Sequence, residues 1–349
     1  MKAVAVHERR LASLARSARA AIVVPLLFAA ALLAIKQPEM AGFAVFGTFA
    51  HLALVNYDSA GTARYAQSAM LTLLGAIMIG AGALASPNAL PAVIGAVAVG
   101  LLSEIPLLAD GRIAAIRRAL LLSFMLAVAV PASVGSVSSY LAGWLMASAI
   151  AQPALLLIWI PLQKSSSANE GARSYDRASN AVAAAHLTST ANAVRCGLAL
   201  GLAVLLTRLL KVEHAFWVVL GVLPVLNASR SSAARAFWQE QAGTLIGFLV
   251  SAAVVAIIGQ HIAWYWLILP FVVFGSVYAA SGNSLLPGQA AFTVFAVVLF
   301  CILSPKQKQA GILRLEDIAI GGAVSLAVGA LLRLGERGSV SRVRSAVQA

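Results

Sequence analysis

Charged residues are scarce in this chain. Only 11% of its 349 residues are Asp, Glu, Lys or Arg, whereas 61% are hydrophobic. A water-soluble domain of this length needs more polar surface than that to cover its core. The composition therefore excludes a soluble globular protein and indicates an integral membrane protein whose main partner is the lipid bilayer.

Enzyme motifs are absent as well. The sequence has no G-x-x-x-x-G-K-[ST] loop for a nucleotide phosphate and no H-E-x-x-H, C-x-x-C or G-x-S-x-G motif. Its two cysteines, Cys196 and Cys301, lie in apolar segments, where a free buried thiol is expected rather than a disulfide or a metal ligand. We therefore predict no enzyme, no cofactor and no metal site, which leaves an ion-driven transporter or a passive pore.

Long apolar segments fill most of the chain. A helix needs about 20 residues to cross a bilayer. By that measure we predict an all-α integral membrane fold of about twelve transmembrane helices, at 20–36, 41–56, 66–85, 88–108, 114–136, 139–162, 191–210, 214–229, 239–259, 262–281, 285–304 and 312–333.

The positions of the basic residues orient these helices. With the N-terminus in the cytoplasm, only six of the 25 Lys and Arg residues fall on the outer side, namely Lys36, Arg208, Lys211, Lys306, Lys308 and Arg314. The other nineteen fall on the inner side, which is a strong positive-inside bias. The net charge of +13 thus reflects topology and predicts no nucleic-acid partner.

The two halves of the chain repeat one pattern. An Arg, an apolar run, a short loop with Lys and Glu, and a second apolar run ending in Gly occur at 19–47 and again at 195–221. An even number of helices per repeat gives both halves the same orientation, about an axis along the membrane normal. We predict a cytoplasmic amphipathic segment (1–18), a six-helix repeat (19–162), a cytoplasmic polar linker (163–191), a second six-helix repeat (192–334) and a cytoplasmic basic tail (335–349).

A few ionisable residues lie inside or beside the predicted spans. His51 lies in the short second span, and Pro224 interrupts the equally short eighth span. Short, interrupted helices at matching positions of two repeats point to a transport site, although a tilted or locally thinned span explains them equally well. His51 is a proton-coupling candidate, with a hydrogen-bonded packing role as the alternative.

Two further charged groups complete the candidates for proton coupling. Arg314 and Asp317 share a helix face at the outer start of the last span, against the positive-inside trend. Glu104 is expected to pair with Arg112, Arg117 or Arg118.

The second half also carries a family pattern. An Arg-led helix at 195–210, the run 213–217 (Glu-His-Ala-Phe-Trp), Arg235, the motif Gly243-Thr244-x-x-Gly247 and the run from Arg314 through Asp317 to Gly321 resemble the integral membrane module of the fusaric acid resistance family. In the first half, Gly42-Phe43 replaces the aromatic pair and no Trp follows. The resemblance implies a multi-pass protein of the bacterial inner (plasma) membrane that exports aromatic carboxylic acids and related organic anions.

An exported anion needs a fixed positive charge near its site, because an unpaired buried carboxylate is very costly. The sequence offers Arg19 and Arg195 at the inner mouth and Arg235 beside the family pair Phe216 and Trp217, whose rings could stack on an aromatic acid. Membrane anchoring explains Arg19 and Arg195 equally well. These five residues are the predicted substrate-binding set.

The expected function is therefore an inner-membrane secondary transporter that exports small organic anions, aromatic ones among them, driven by the proton gradient. A passive anion channel of similar fold and a non-transporting membrane scaffold remain as alternatives. A homo-oligomer and a periplasmic adaptor protein stay open as partners. Many relatives carry a large cytoplasmic domain between their halves, whereas this chain has only the short linker.

The topology can be tested by labelling. A cysteine placed at Ser166 should remain unmodified when intact cells are treated with a membrane-impermeant thiol reagent, because the linker is cytoplasmic. Modification from outside the cell would contradict the predicted orientation.

Overall fold

The computed structural model describes residues 2–55, 62–104, 111–129, 132–157, 178–212, 215–227, 233–282, 284–303 and 316–331. Within these ranges the chain is helical and contains no strand. An all-helical chain suits a bilayer, because each helix satisfies its own backbone hydrogen bonds where water is missing.

Twelve helices follow one another in the described residues. They are α1 (Lys2–Ala29), α2 (Pro38–Phe49), α3 (Thr62–Ala85), α4 (Ala89–Ser103), α5 (Gly111–Ala129), α6 (Val134–Leu157), α7 (Ala178–Leu209), α8 (Ala215–Asn227), α9 (Ala233–Ile258), α10 (Ile262–Ala280), α11 (Leu285–Leu303) and α12 (316–331). Each predicted apolar segment overlaps one of them.

Six stretches of these helices are long and apolar enough to cross a membrane. They are Arg10–Ala34, Tyr65–Ala85, Asn192–Leu209, Ala233–Ile258, Ile262–Ala280 and Leu285–Leu303. Large apolar side chains on them also point outward, since Phe271 is 74% and Ile257 85% exposed. The chain is thus a multi-pass, membrane-embedded helical protein.

Two helices cross the boundaries that were predicted between segments of the chain. The amphipathic segment and the first span are one continuous helix, because α1 begins at Lys2 and runs through residue 19 without a break. In the second half, α7 begins at Ala178, inside the segment predicted as a linker. The rest of that linker before Ala178, Arg314 and the tail from 335 lie outside the described residues.

Short π-helical turns extend two helices of the first half. One, Ala30–Ala34, follows α1, and the other, Ala50–Leu54, follows α2 and contains His51. Pro38 starts α2, where its missing N–H costs no hydrogen bond. Such turns are frequent at functional sites.

Helices of the two halves pack against each other. In the contacts between halves, α1 lies along α10 and α4 lies along α7. Within the halves, α3 packs on α5 and α2 on α6, and α9 packs on α11. The close contact of α8 with α12 is shown by Gly221, where an added β-carbon would lie 2.9 Å from the Cα of Ile318.

Small residues allow these close approaches. Gly100 of α4 faces Gly197 of α7, where an added β-carbon would lie 2.7 Å from that residue's Cα. The Gly243-x-x-x-Gly247 motif packs on α11, with a β-carbon at Gly247 only 2.7 Å from Thr293 Cβ. Gly80 differs, because nothing lies within 4 Å of its β-carbon position.

Two lysines adopt left-handed backbone conformations. Lys36 has φ 61° just after the end of α1 and its π-helical turn, and Lys211 has φ 52° just after α7. Residues other than glycine are disfavoured in this conformation, and glycine is the residue that usually adopts it at a helix end. The same unusual residue type therefore ends the first helix of each half.

The motif on α9 gives a stability prediction. Gly247→Ala should lower the free energy of unfolding by about 1–3 kcal/mol, because the added methyl group collides with the backbone carbonyl of Ala290. Gly80→Ala is the matched control and should not lower the free energy of unfolding, because alanine favours the helix by about 0.5–1 kcal/mol at an open position. Thermal unfolding of the purified protein in detergent measures both, and equal effects would contradict this packing.

Candidate functional site

A cavity of about 380 Å³ lies between helices of both halves. Residues of α2, α3, α5 and α6 line it from the first half, and residues of α8, α10 and α11 line it from the second half. Pockets that bind small molecules typically measure about 300–1,000 Å³ and are mostly apolar. The cavity therefore has the size of a binding site for one small molecule.

Aromatic side chains form much of its wall. Phe46 and Phe49, three residues apart on α2, lie on one helix face and meet rings of the second half. The Phe46 ring packs edge-on against Phe216 at 4.9 Å between centroids, and Phe49 contacts Phe292 at 5.6 Å. The two halves thus touch through aromatic rings at the edge of the cavity.

Four uncharged polar side chains line the same cavity: Ser123, Ser276, Ser284 and Gln289. Ser123 Oγ donates to the carbonyl of Ala119 at 2.8 Å, and Gln289 Nε2 donates to Glu240 Oε1 at 3.4 Å. Ser276 is fully buried, and its hydroxyl has no hydrogen-bond partner among the described residues. The described polar side chains of the lining are therefore few and uncharged.

His51 lies directly behind the cavity wall. It is fully buried, whereas its neighbours Ala50 and Leu54 line the cavity. Its Nε2 lies 2.9 Å from Ser148 Oγ and its Nδ1 lies 3.5 Å from Ser68 Oγ. The Ser148 hydroxyl also lies 2.9 Å from the carbonyl of Trp144, so its single proton serves either that carbonyl or Nε2, according to the tautomer of His51. These bonds give His51 a packing role, and its closeness to the cavity keeps the proton-coupling hypothesis open.

The predicted substrate-binding residues are only partly brought together. Phe216 lines the cavity, and Trp217 lies buried beside it, 5.8 Å from the ring of Phe300. Arg19 and Arg195 are both 6% exposed and are not among the described lining residues. Arg235 is exposed on α9, also away from the lining.

The remaining charged candidates lie elsewhere. The Arg195 guanidinium lies against α12, with Nε 3.5 Å from the β-carbon position of Gly329. Asp317 is buried on α12, and Arg314 lies outside the described residues. The expected structural pair is confirmed, because Arg117 Nη1 lies 2.9 Å from Glu104 Oε1.

Several residues of the cavity were missed by the sequence reasoning. Trp144, Ser276 and Phe292 lie within continuous apolar runs, whose sequence gives no sign of which face meets a cavity. Glu240 was missed as well, although it is fully buried and hydrogen-bonded to the lining residue Gln289. The sequence signal for Glu240 was a carboxylate within the first turns of a predicted span.

Comparison with known proteins supports the family resemblance. Residues 202–328 match the family model described as fusaric acid resistance protein-like. The resemblance predicted from the sequence is thereby confirmed over this stretch, and the match indicates a membrane transporter-like protein. No curated protein and no solved structure matches the chain.

The hydrogen bonds of His51 give a second stability prediction. Ser148→Ala should lower the free energy of unfolding by about 1–3 kcal/mol, because it leaves the buried Nε2 without its partner. Ser138→Ala, on the exposed part of the same helix, is the control and should change it by less than about 0.5 kcal/mol. Equal thermal stability of the two variants would show that the His51 contacts contribute nothing.

Proposed function

We propose that this protein, whose second half matches the fusaric acid resistance family, is a secondary transporter of the bacterial inner membrane. In this proposal it exports small organic anions, aromatic ones among them, at the expense of the proton gradient, and it performs no enzyme chemistry. The observation that carries the proposal is the cavity between the two halves, whose walls come from both of them.

Equivalent helix contacts in the two halves support an architecture of two parallel six-helix repeats. The pairing of α1 with α10 is mirrored by the pairing of α7 with α4, and that of α3 with α5 by that of α9 with α11. Gly47 packs against α6 as Gly221 packs against α12. The left-handed Lys36 and Lys211 mark equivalent helix ends. Two related bundles that enclose a shared site can rock about it to expose it alternately.

The cavity favours transport over a scaffold. A protein that only organises lipid or partners has no need of a space for a small molecule between its halves, and close packing would be more stable. Aromatic contacts such as Phe46 with Phe216 join the halves across the cavity edge. That favours a carrier with closed gates over a passive anion channel, which needs a continuous open path.

Arg195 and Arg235 remain the proposed recognition points for the carboxylate. Arg195 is 6% exposed within α7, and its guanidinium lies against α12 beside Gly329. Because neither arginine is among the described lining residues, we place their role at an early step, before the molecule reaches the cavity.

Flux into liposomes tests the function. Purified protein in liposomes should move a radiolabelled aromatic acid, and an imposed pH gradient should accelerate that flux. Ala280→Trp, at the exposed rim of the cavity, should stop the flux by obstruction, whereas Leu267→Trp on the outward face of the same helix should not. Flux that is absent in the wild type, or equal in both variants, would refute transport through this cavity.

The same assay tests the arginines. Arg195→Ala and Arg235→Ala should lower the flux by about tenfold or more, because an anion loses its fixed partner. The Lys variants should keep part of the activity, since they retain the charge but lose the planar fork. Arg118→Ala, at an exposed position of α5, is the control. Wild-type flux in both Ala variants would move the site to His51 and the Arg314 to Asp317 cluster.

A further inference from the structure

The exposed lining residues of the cavity lie together at one end. Ala280, the last residue of α10, and Gly282 and Ser284, which follow it before α11 begins, all line the cavity and are exposed. Lining residues on α3 and α6 are buried by contrast, since Ile79 is 0% and Trp144 2% exposed. The cavity therefore opens at the turn between α10 and α11.

Aromatic rings in mutual contact lie at another part of the cavity wall. Phe216, the second residue of α8, lines the cavity and packs edge-on against Phe46 of α2 at 4.9 Å between ring centroids. The series continues through Trp217 to Phe300 of α11, with 5.3 Å and 5.8 Å between successive centroids. Rings at these distances touch, so no small molecule passes between them. We call these four rings the aromatic barrier.

The turn and the aromatic barrier lie at opposite ends of the helices. Because α9 and α10 are both long enough to cross a membrane, α10 ends at the surface where α9 begins. Only residues 228–232 separate the start of α9 from the end of α8, so α8 ends at that surface too. Phe216 stands at the start of α8, about 16 Å farther along the helix at about 1.5 Å per residue.

We propose that the aromatic barrier is the gate that closes the cavity toward one side of the membrane, whereas the turn between α10 and α11 is the entrance from the other side. The structure is then the state that loads a molecule at the turn, which is the cytoplasmic side in the predicted orientation. This inference rests on the proposed function, because it assigns the two ends of the same cavity.

Release on the far side requires α2 and α8 to separate. The contact between Phe46 and Phe216 joins the two halves through rings that have no polar atoms. It can open and close without leaving a hydrogen-bonding group unsatisfied, which suits a contact that must break in every transport cycle.

Thiol labelling from each side of the membrane tests the gate. With Cys196 and Cys301 replaced by alanine, Leu220→Cys places a reporter thiol on the cavity wall, one turn along α8 from Phe216. Ser284→Cys marks the side of the turn. A small, membrane-impermeant methanethiosulfonate is applied to intact cells and, separately, to inside-out vesicles. The reporter should react from the same side as Ser284→Cys, and at least about tenfold more slowly from the other side.

Variants locate the barrier. Phe46→Ala and Phe216→Ala lie in different halves, and each should raise the reporter's rate from the far side about tenfold or more, because each removes one ring of the same contact. Phe216→Tyr keeps the ring and should keep the labelling one-sided. Phe271→Ala is the matched control, since that ring of α10 is 74% exposed. Ala280→Trp should slow labelling from the side of the turn.

Each outcome decides the proposal. Equal reporter rates from both sides in the protein with an intact barrier would overturn it, and so would a reporter that does not react from the side of the turn. An unchanged far-side rate in either Ala variant, or a rise in Phe271→Ala as large as theirs, would overturn it as well. If liposome flux of the aromatic acid persists in those cases, the transport function stands and only the assignment of the gate is refuted.

Discussion

Lipid hydrocarbon offers no hydrogen-bond partner, and the rest of this structure depends on that constraint. Backbone groups are satisfied within helices, and buried side chains such as Thr48, Ser123 and Ser251 bond carbonyls of their own helix. His51 is satisfied by serines of two other helices, Ser68 and Ser148. Against this background, the Ser276 hydroxyl is an exception, because it is buried and has no hydrogen-bond partner among the described residues.

Close helix packing and the cavity occur side by side in the same bundle. Apolar surfaces in lipid gain little from burial against each other, so helix pairs are held by tight contact at small residues. Gly100 with Gly197 and the Gly243 to Gly247 motif bring their helix pairs close to each other. Between the halves, rings from α2, α8 and α11 line a cavity of about 380 Å³. The same helix bundle thus contains both tightly packed helix contacts and the cavity.

The sequence predicts the helices better than the residues that line the cavity. A run of about 20 apolar residues has one structural outcome in a bilayer, so the helices and their order could be predicted. The extension of α7 back to Ala178 could not, because polar residues outside the bilayer carry no hydropathy signal. Phe216 was found through its family motif, whereas Ser276 and Phe292 lie in helices that are apolar on every face. Arg19, Arg195 and Arg235 were predicted as binding residues because charge is conspicuous in such a sequence, and none of the three is among the described lining residues.

The central claim is that the two halves move against each other around one cavity, and a reversible cross-link tests it most directly. With Cys196 and Cys301 replaced by alanine, Phe46→Cys and Phe216→Cys place thiols on two side chains whose rings lie 4.9 Å apart across the halves. A short, reducible bifunctional thiol reagent should stop flux in the double variant, reduction should restore it, and each single-cysteine variant should keep most of its flux under the same treatment. Full flux through a protein shown by mass spectrometry to be cross-linked would contradict the account.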